Sequence, residues 1–492
     1  MKPGFLLSIA LGAALSGCAV GPDYQRPSAL ASRPLPAAFA GTATTNTGDW
    51  KPAEPAAHLP RGVWWELFDD SELNRLENLA TAENQGLAAA IARFNQARAL
   101  VNVARSDFFP HLIAEGSATR QRTSRNAPLE GRPAGQSHTF DTFTVPLDMG
   151  WELDLWGRIR RQTEAARARL DAGADDVHAV KLAFQAEVAA DYFSLRALDA
   201  ERALVADTIE TYRRSLELTR NRRQGGIASD LDVAQAETQL RTAEAQLPAL
   251  DLQRAKLLHA LATLCGQPAT NFELAPQRSR LAASPSVPVN LPSELLERRP
   301  DIAAGERRMA AANADIGVAR SAFYPRVRFN GLAGFQSVDA GAWFDWPSRF
   351  WAVGPSLEWP LFTAGRNRAQ LLAARAAYNE TVTQYRQTVL TAFQEVEDQL
   401  AAQRLLAAQL EAEAGALAAA RHTLEIATNR YQAGLVTYLE VATAQSAALA
   451  RELAVTQLQG ERLVAAVSLI KSLGGGWAQD QFVAGEKSSA PR

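Results

Sequence analysis

Two hydrophobic periods alternate along this chain, and each occurs twice. In the first half, Val177, Val180, Phe184, Val188, Tyr192, Leu195 and Leu198, then Val205, Ile209, Tyr212 and Leu216, fall three or four positions apart, the spacing of a helical seam. This seam lies in a proline-free stretch, 157–226, which ends in a glycine turn. A second such stretch, 365–434, carries Tyr378, Val382, Tyr385, Val389, Phe393, Val396 and Leu400. At 1.5 Å per residue, each predicts a rod of roughly 100 Å. After each turn a returning helix is predicted, the first ending near Leu264. Ahead of each rod the period changes to two. Phe143, Val145, Leu147, Met149, Trp151, Leu153 and Leu155 alternate with Thr142, Thr144, Pro146, Asp148, Gly150, Glu152 and Asp154, predicting a strand with one apolar and one polar face. Trp351, Val353, Pro355, Leu357, Trp359 and Leu361 repeat the pattern. Pro146 conflicts with a central strand because it cannot donate to the ladder. A weaker strand over 111–121 pairs with the first through a Pro- and Gly-rich loop at 123–137.

The two halves are copies. Residues 222–234 align with 430–442 at an offset of 208, six positions being identical. Residues 103–110 align with 318–325 at an offset of 215, with six of eight identical. The first hairpin is therefore seven residues longer, while the rods are equal in length. Asp69 followed by Glu72 predicts a capping box opening a helix over Leu73, Leu76 and Leu79. A second helix is predicted over 86–107, stopping at Phe108-Phe109-Pro110.

Composition narrows the function. Net charge is −2 over 492 residues, which gives no electrostatic case for a nucleic-acid partner. Lys2, the short apolar run 5–14 and Leu15-Ser16-Gly17-Cys18 read as a bacterial export signal of residues 1–17 with a lipobox, so that Cys18 carries the lipid. Residues 18–62 read as an extended tether. With Cys18 lipidated, Cys265 has no disulfide partner within the chain and reads as a buried apolar residue. The six histidines (His58, His111, His138, His178, His259, His422) show no metal-ligand spacing, and neither a phosphate loop nor a nucleophile triad is readable. No enzyme is expected. A strand pair with one apolar face, without an opposing sheet and with aromatics at the strand ends (Phe108, Phe109, Trp151, Trp156, Phe323, Tyr324, Trp351, Trp359), points to a membrane β-barrel. Four strands per chain cannot close. Two chains give eight strands and a filled interior; three give twelve and a lumen.

The lipobox, Trp64-Trp65, Arg298-Arg299-Pro300-Asp301-Ile302, the stretch 310–325 and the stretch 430–445 together resemble the TolC/OprM-type outer-membrane channels, in their lipidated, NodT-like branch serving tripartite RND efflux systems. The resemblance covers nearly the whole mature chain. It implies a mixed α and transmembrane β fold: a homotrimer whose 12-stranded outer-membrane β-barrel continues into a long periplasmic α-helical barrel. On that template the chain divides into equatorial and first barrel helices (63–109), a first β-hairpin (110–157), a first helical hairpin (158–265), an equatorial connector (266–297), a helix of the second repeat (298–324), a second β-hairpin (325–364), a second helical hairpin (365–473) and a tail (474–492). It implies no cofactor apart from covalent N-acyl and S-diacylglycerol lipid on Cys18. Implied partners are a periplasmic adaptor, an inner-membrane RND-type transporter and outer-membrane lipid.

The implied gate lies just past the glycine turns. The family's hydrophobic ring falls on Leu439, and its aspartate ring falls on Thr443, a departure. Glu440 lies beside Leu439, and their repeat equivalents Asp232 and Leu231 supply acidic and apolar groups at the same mouth. Either Asp232 and Glu440 form acidic rings that favour cations, or they pair locally with Arg222 and Arg430. Gly226 and Gly434 mark the turns for adaptor docking, or serve as left-handed helix ends. Within transport, the alternative is a type I protein-secretion duct. Outside it, the alternative is a lipid-anchored periplasmic coiled-coil adaptor, for which no sandwich domain is readable.

Overall fold

A computed structural model describes residues 19–30, 39, 63–126, 137–277, 281, 283–285 and 299–475. The signal peptide 1–17, Cys18, most of the tether, the centre of the first hairpin loop, much of the connector and the tail beyond 475 lie outside the described residues. In chain order the elements are α1 (Ser71–Glu83), α2 (Gln85–Ser106), β1 (His111–Ala114), β2 (Ser117–Arg122), β3 (Thr139–Leu153), α3 (Arg158–Gln224), α4 (Asp230–Leu264), α5 (Pro300–Ser321), β4 (Arg326–Ser337), β5 (Arg349–Glu358), α6 (Arg366–Gln432) and α7 (Tyr438–Ser472). Helices α3 and α6 are each 67 residues long, and α4 and α7 are each 35. The chain forms two units: one of Met1–Pro27, Phe94–Ala172 and Gly305–Tyr385, the other of Ser28–Arg93, Gly173–Ala304 and Arg386–Arg492.

The first unit holds the sheet. Its order is β1/β2, β3, β4, β5, all antiparallel, with β1 and β2 lying end to end on the same edge of β3. Pro146 explains the break between them. His111↔Gly150 and Ser117↔Thr144 share one register, so Glu115 stands opposite Pro146. The Glu115 N–H donates to the Pro146 carbonyl at 3.1 Å, but proline has no N–H to return the bond. On its other side Pro146 faces Gly334, where a Cβ would come within 2.2 Å of the Val145 carbonyl oxygen and 2.8 Å of Pro146 Cα. A central proline is thus accommodated by an interrupted ladder on one side and a glycine on the other.

Alternation carries across the sheet. Leu147 and Met149 pair with Ala333 and Gly331, which pair in turn with Trp351 and Val353. This face is apolar and open: Trp351 is 73 % exposed, Val353 58 % and Leu112 63 %. The opposite face carries Arg328 between Glu152 and Ser356, and Asn330, whose amide donates to Ser356 Oγ at 2.7 Å. Strand β3 ends at Leu153, two residues short of Leu155, the last apolar position of the predicted alternation, because the Asp154 carboxylate turns to accept the N–H groups of Ile159 and Arg160, both at 3.0 Å, at the start of α3. The Trp156 indole donates to the Pro325 carbonyl at 2.8 Å. Residues just after Cys18 seat against the same junction. The Val20 N–H donates to the Trp156 carbonyl at 2.9 Å, and a Cβ on Gly157 would meet Ala19 Cα at 2.7 Å.

In the second unit, Asp70 rather than Asp69 caps α1. Its carboxylate accepts from the Glu72 and Leu73 N–H groups at 2.9 and 3.1 Å, and from the Tyr192 hydroxyl at 2.7 Å. Asp70 is extended, as an N-cap requires, whereas Asp69 is left-handed with φ 50° and ends the turn over Trp64–Phe68. Trp64, Trp65, Phe68 and Phe193 are buried together. The Arg-Arg-Pro-Asp-Ile stretch has a structural role: buried Arg299 holds Asp301 and Glu395 and donates to the Ser472 carbonyl at 3.3 Å. No helix among the described residues is long and apolar enough to cross a membrane.

Candidate gate and docking turns

The four long helices of the second unit converge on one core. Val205, Ile209, Tyr212 and Leu216 of α3, Ala236, Leu240 and Ala243 of α4, Ala427 and Tyr431 of α6, and Tyr438, Val441, Ala442 and Ala444 of α7 are buried against one another. The turns close both hairpins by the same motif. At the end of α3, Gly226 has φ 75°, its N–H reaches the Arg223 carbonyl at 2.9 Å, and the Ile227 N–H reaches the Arg222 carbonyl at 2.8 Å. At the end of α6, Gly434 also has φ 75°, with Gly434 N–H to Tyr431 O at 3.0 Å and Leu435 N–H to Arg430 O at 2.9 Å. These bonds satisfy carbonyls that a helix end otherwise leaves open. A Cβ on either glycine would meet nothing within 4 Å, so these positions favour glycine for backbone conformation and leave the turn surface open. Around them Ile227, Leu231, Leu435 and Leu439 are exposed.

The turns differ where the repeat departs from identity. Arg223 and Asp230 form an exposed ion pair. Their positions in the second copy are Tyr431 and Tyr438, buried, with rings 5.4 Å apart edge to face. Arg222 joins the two hairpins: its guanidinium lies 4.9 Å from the centre of the Tyr431 ring and donates to the Gln432 carbonyl at 3.0 Å. The Tyr438 hydroxyl donates to Gln445 at 3.2 Å, and that of Tyr431 to Thr219 at 3.4 Å.

Asp232 serves two helices. One carboxylate oxygen accepts from the Ser229 N–H at 2.9 Å and hydroxyl at 2.8 Å, completing the capping box of α4. The other accepts the Tyr438 N–H of α7 at 3.0 Å. Thr437, the N-cap of α7, makes no side-chain cap bond, so the neighbouring hairpin supplies it. Burial pushes the Asp232 carboxyl up, but the bonds from Ser229 and Tyr438 and the nearby Arg222 charge outweigh it and hold the group below its ordinary value. Glu440 lies 3.8 Å from Arg430, both about half exposed. The Thr443 hydroxyl donates to the Leu439 carbonyl of its own helix at 2.8 Å.

The geometry thus brings Asp232, Leu231, Leu439, Glu440 and Thr443 to the helix starts beside Gly226 and Gly434. It places Arg222, already a candidate partner of the acids, on the Tyr431 ring, and it adds Tyr431 and Tyr438, for which the sequence offers one signal: a local divergence between otherwise matching turns. No group of His, Cys, Asp and Glu among the described residues is arranged to hold a metal ion.

Comparison with known proteins points the same way. The model of the outer membrane efflux protein family matches residues 76–267 and 291–475. The chain is 34% identical over 481 residues to the outer membrane protein OprJ of Pseudomonas aeruginosa, covering 97% of both chains. It is 34% identical over 474 residues, 96% of each chain, to the toluene efflux pump outer membrane protein TtgF of Pseudomonas putida. Among solved structures, the outer-membrane channel OprN superposes with a TM-score of 0.84 at 32% identity, over 94% of this chain and 100% of that one. The open state of the MtrE outer membrane channel of Neisseria gonorrhoeae gives 0.78 at 28%, over 93% and 98%. The chain belongs to the outer membrane efflux protein family.

Proposed function

We propose that the protein is the outer-membrane exit duct of a tripartite efflux pump in a Gram-negative bacterium, conducting small molecules passively from periplasm to exterior. One observation carries this reading: the sheet presents a continuous apolar face, with Leu112, Leu147, Trp151, Trp351, Val353 and Leu357 all exposed, and a polar face opposite. In water such a face is a liability; in lipid it is what a barrel exterior needs. Both outer edges, β1/β2 and β5, lack a partner among the described residues, and lipid tolerates no open edge. Three copies with four strand rows each close a 12-stranded barrel with a lumen.

The rest follows from this frame. Cys18 carries the N-acyl and diacylglycerol lipid, and the residues that follow it, Ala19 and Val20, seat at Gly157 and Trp156. Helices α3, α4, α6 and α7 build the periplasmic barrel. Leu231, Asp232, Leu439, Glu440 and Thr443 form its gate. The turns at Gly226 and Gly434 receive the adaptor, which couples the duct to an RND-type transporter. Loss of the gene should raise retention of ethidium in cells, with wild-type protein restoring export. Retention unchanged by deletion, in a strain whose parallel pumps are removed, would sink the efflux reading.

A further inference from the structure

The two β-hairpins of the chain share one register. Adding the repeat offsets, 215 for the first strand and 208 for the second, to the pair His111↔Gly150 gives Arg326↔Glu358, which is the observed pair in the second hairpin. The hairpins meet at β3 and β4, where Pro146↔Gly334 and every other observed pair add to 480. Applying the same offsets to that joint defines a second joint, between the edges of β5 and of β1/β2 that have no partner among the described residues. Both strands are already committed on their other edges within the chain, so the second joint needs a second copy.

We propose that β5 of one copy pairs antiparallel with β1/β2 of the next in the register whose residue numbers add to 473, with Gly354 opposite Thr119 and Ser356 opposite Ser117. The inference rests on the trimeric-barrel reading and goes beyond it by fixing which residues meet. Strand β5 itself supports it. Its counterpart β3 runs to Leu153, which corresponds to Leu361, yet β5 stops at Glu358. The three residues left over, Trp359, Pro360 and Leu361, are the ones that this register sets against Ala114, Ile113 and Leu112. Leu361 is 80 % exposed and Leu112 63 %; pairing places them side by side on the apolar face. Pro360 fits because alternation turns its nitrogen toward β4 rather than toward the joint. Pro355 turns its nitrogen toward the joint, so one bond to Ala118 is missing there. On a free edge such a proline also discourages unregistered pairing.

Cysteine pairs read the register directly. Gly354 and Thr119 correspond to Pro146 and Gly334, a pair without mutual hydrogen bonds and therefore with close Cα atoms. A Cβ on Gly354 meets nothing within 4 Å, and Thr119 is exposed. Cys265 is buried, so single-cysteine variants give the background. Full-length Gly354→Cys/Thr119→Cys protein, assembled in outer membranes and mildly oxidised, should form disulfide-linked multimers at least tenfold more efficiently than the two-residue slips Gly354→Cys/Gln121→Cys and Gly354→Cys/Ser117→Cys. Ser356→Cys/Ser117→Cys supplies an independent in-register pair should the first assemble poorly. Preferential linkage by either slipped pair overturns the register, as does absence of linkage from both in-register pairs in protein that is trimeric by light scattering. Monomeric protein by the same measurement overturns the trimer reading itself, which separates the two failures.

Discussion

Replacing Asp232 with alanine tests the idea that one carboxylate locks the two hairpins together at the turns. The side chain accepts three bonds, from the Ser229 N–H and hydroxyl and from the Tyr438 N–H. Loss of a helix cap costs about 1 kcal/mol. Two helix ends share this cap, so Asp232→Ala should weaken the tip by about 2 kcal/mol, roughly 30-fold in local opening. Amide exchange in the first turn of α7 reports this opening locally: protection at Tyr438 and its neighbours should fall about 30-fold, while exchange in the sheet stays unchanged. In planar bilayers the variant should show more frequent openings. The pH dependence has a defined sign. Because the Asp232 carboxyl lies below its ordinary value, the lock is intact above the unfolded carboxylate range and is lost as pH falls through the lowered value. Unchanged protection at Tyr438 in the alanine variant would refute the reasoning.

Other substitutions test separate parts of the account. Gly226→Val with Gly434→Val forces β-branched residues into left-handed geometry at about 1 to 2 kcal/mol each and covers the open turns; ethidium efflux should fail while trimers persist, and normal efflux would remove the docking role. Glu77, fully buried in α1 and with neither carboxylate oxygen hydrogen-bonded among the described residues, has its carboxyl pushed up to about 9 by burial, with Lys181 pulling the other way. The folded chain holds a proton that the unfolded chain releases, so stability falls as pH rises from the carboxylate range toward 9. Glu77→Gln should add about 3 kcal/mol at pH 7 and flatten the slope between pH 5 and 8 in denaturant melts; parallel slopes would contradict it. Gly334→Ala puts a Cβ within 2.2 Å of the Val145 carbonyl oxygen and should destabilise the β3–β4 joint by about 2 to 3 kcal/mol, seen as a lower temperature for heat-induced trimer loss on gels.

Periodicity and duplication made the long helices and the alternating strands legible in the sequence, because both depend on burial of one face and little else. What escaped was decided by single backbone groups. The capping-box spacing to Glu72 favours Asp69, and only backbone direction selects Asp70 as the cap. Pro146 looked incompatible with a central strand until the interruption at Glu115 and the glycine at 334 were seen together. At the tip, the acids were visible as charges near a turn, but the sequence does not say that the Asp232 carboxylate reaches across to a helix 206 residues away. Nor could it show that Tyr431 and Tyr438 bury their rings where the first copy has an exposed ion pair. Such contacts depend on which hairpin packs against which, a long-range fact that local patterning does not encode.

The most direct test of the duct is electrical. Purified protein reconstituted into planar bilayers should insert as trimers that give discrete, long-lived conductance steps, with the open fraction increased by Asp232→Ala. Trimers that insert stably yet leave the membrane insulating, in the wild type and in the unlocked variant alike, would contradict a continuous path through the barrel.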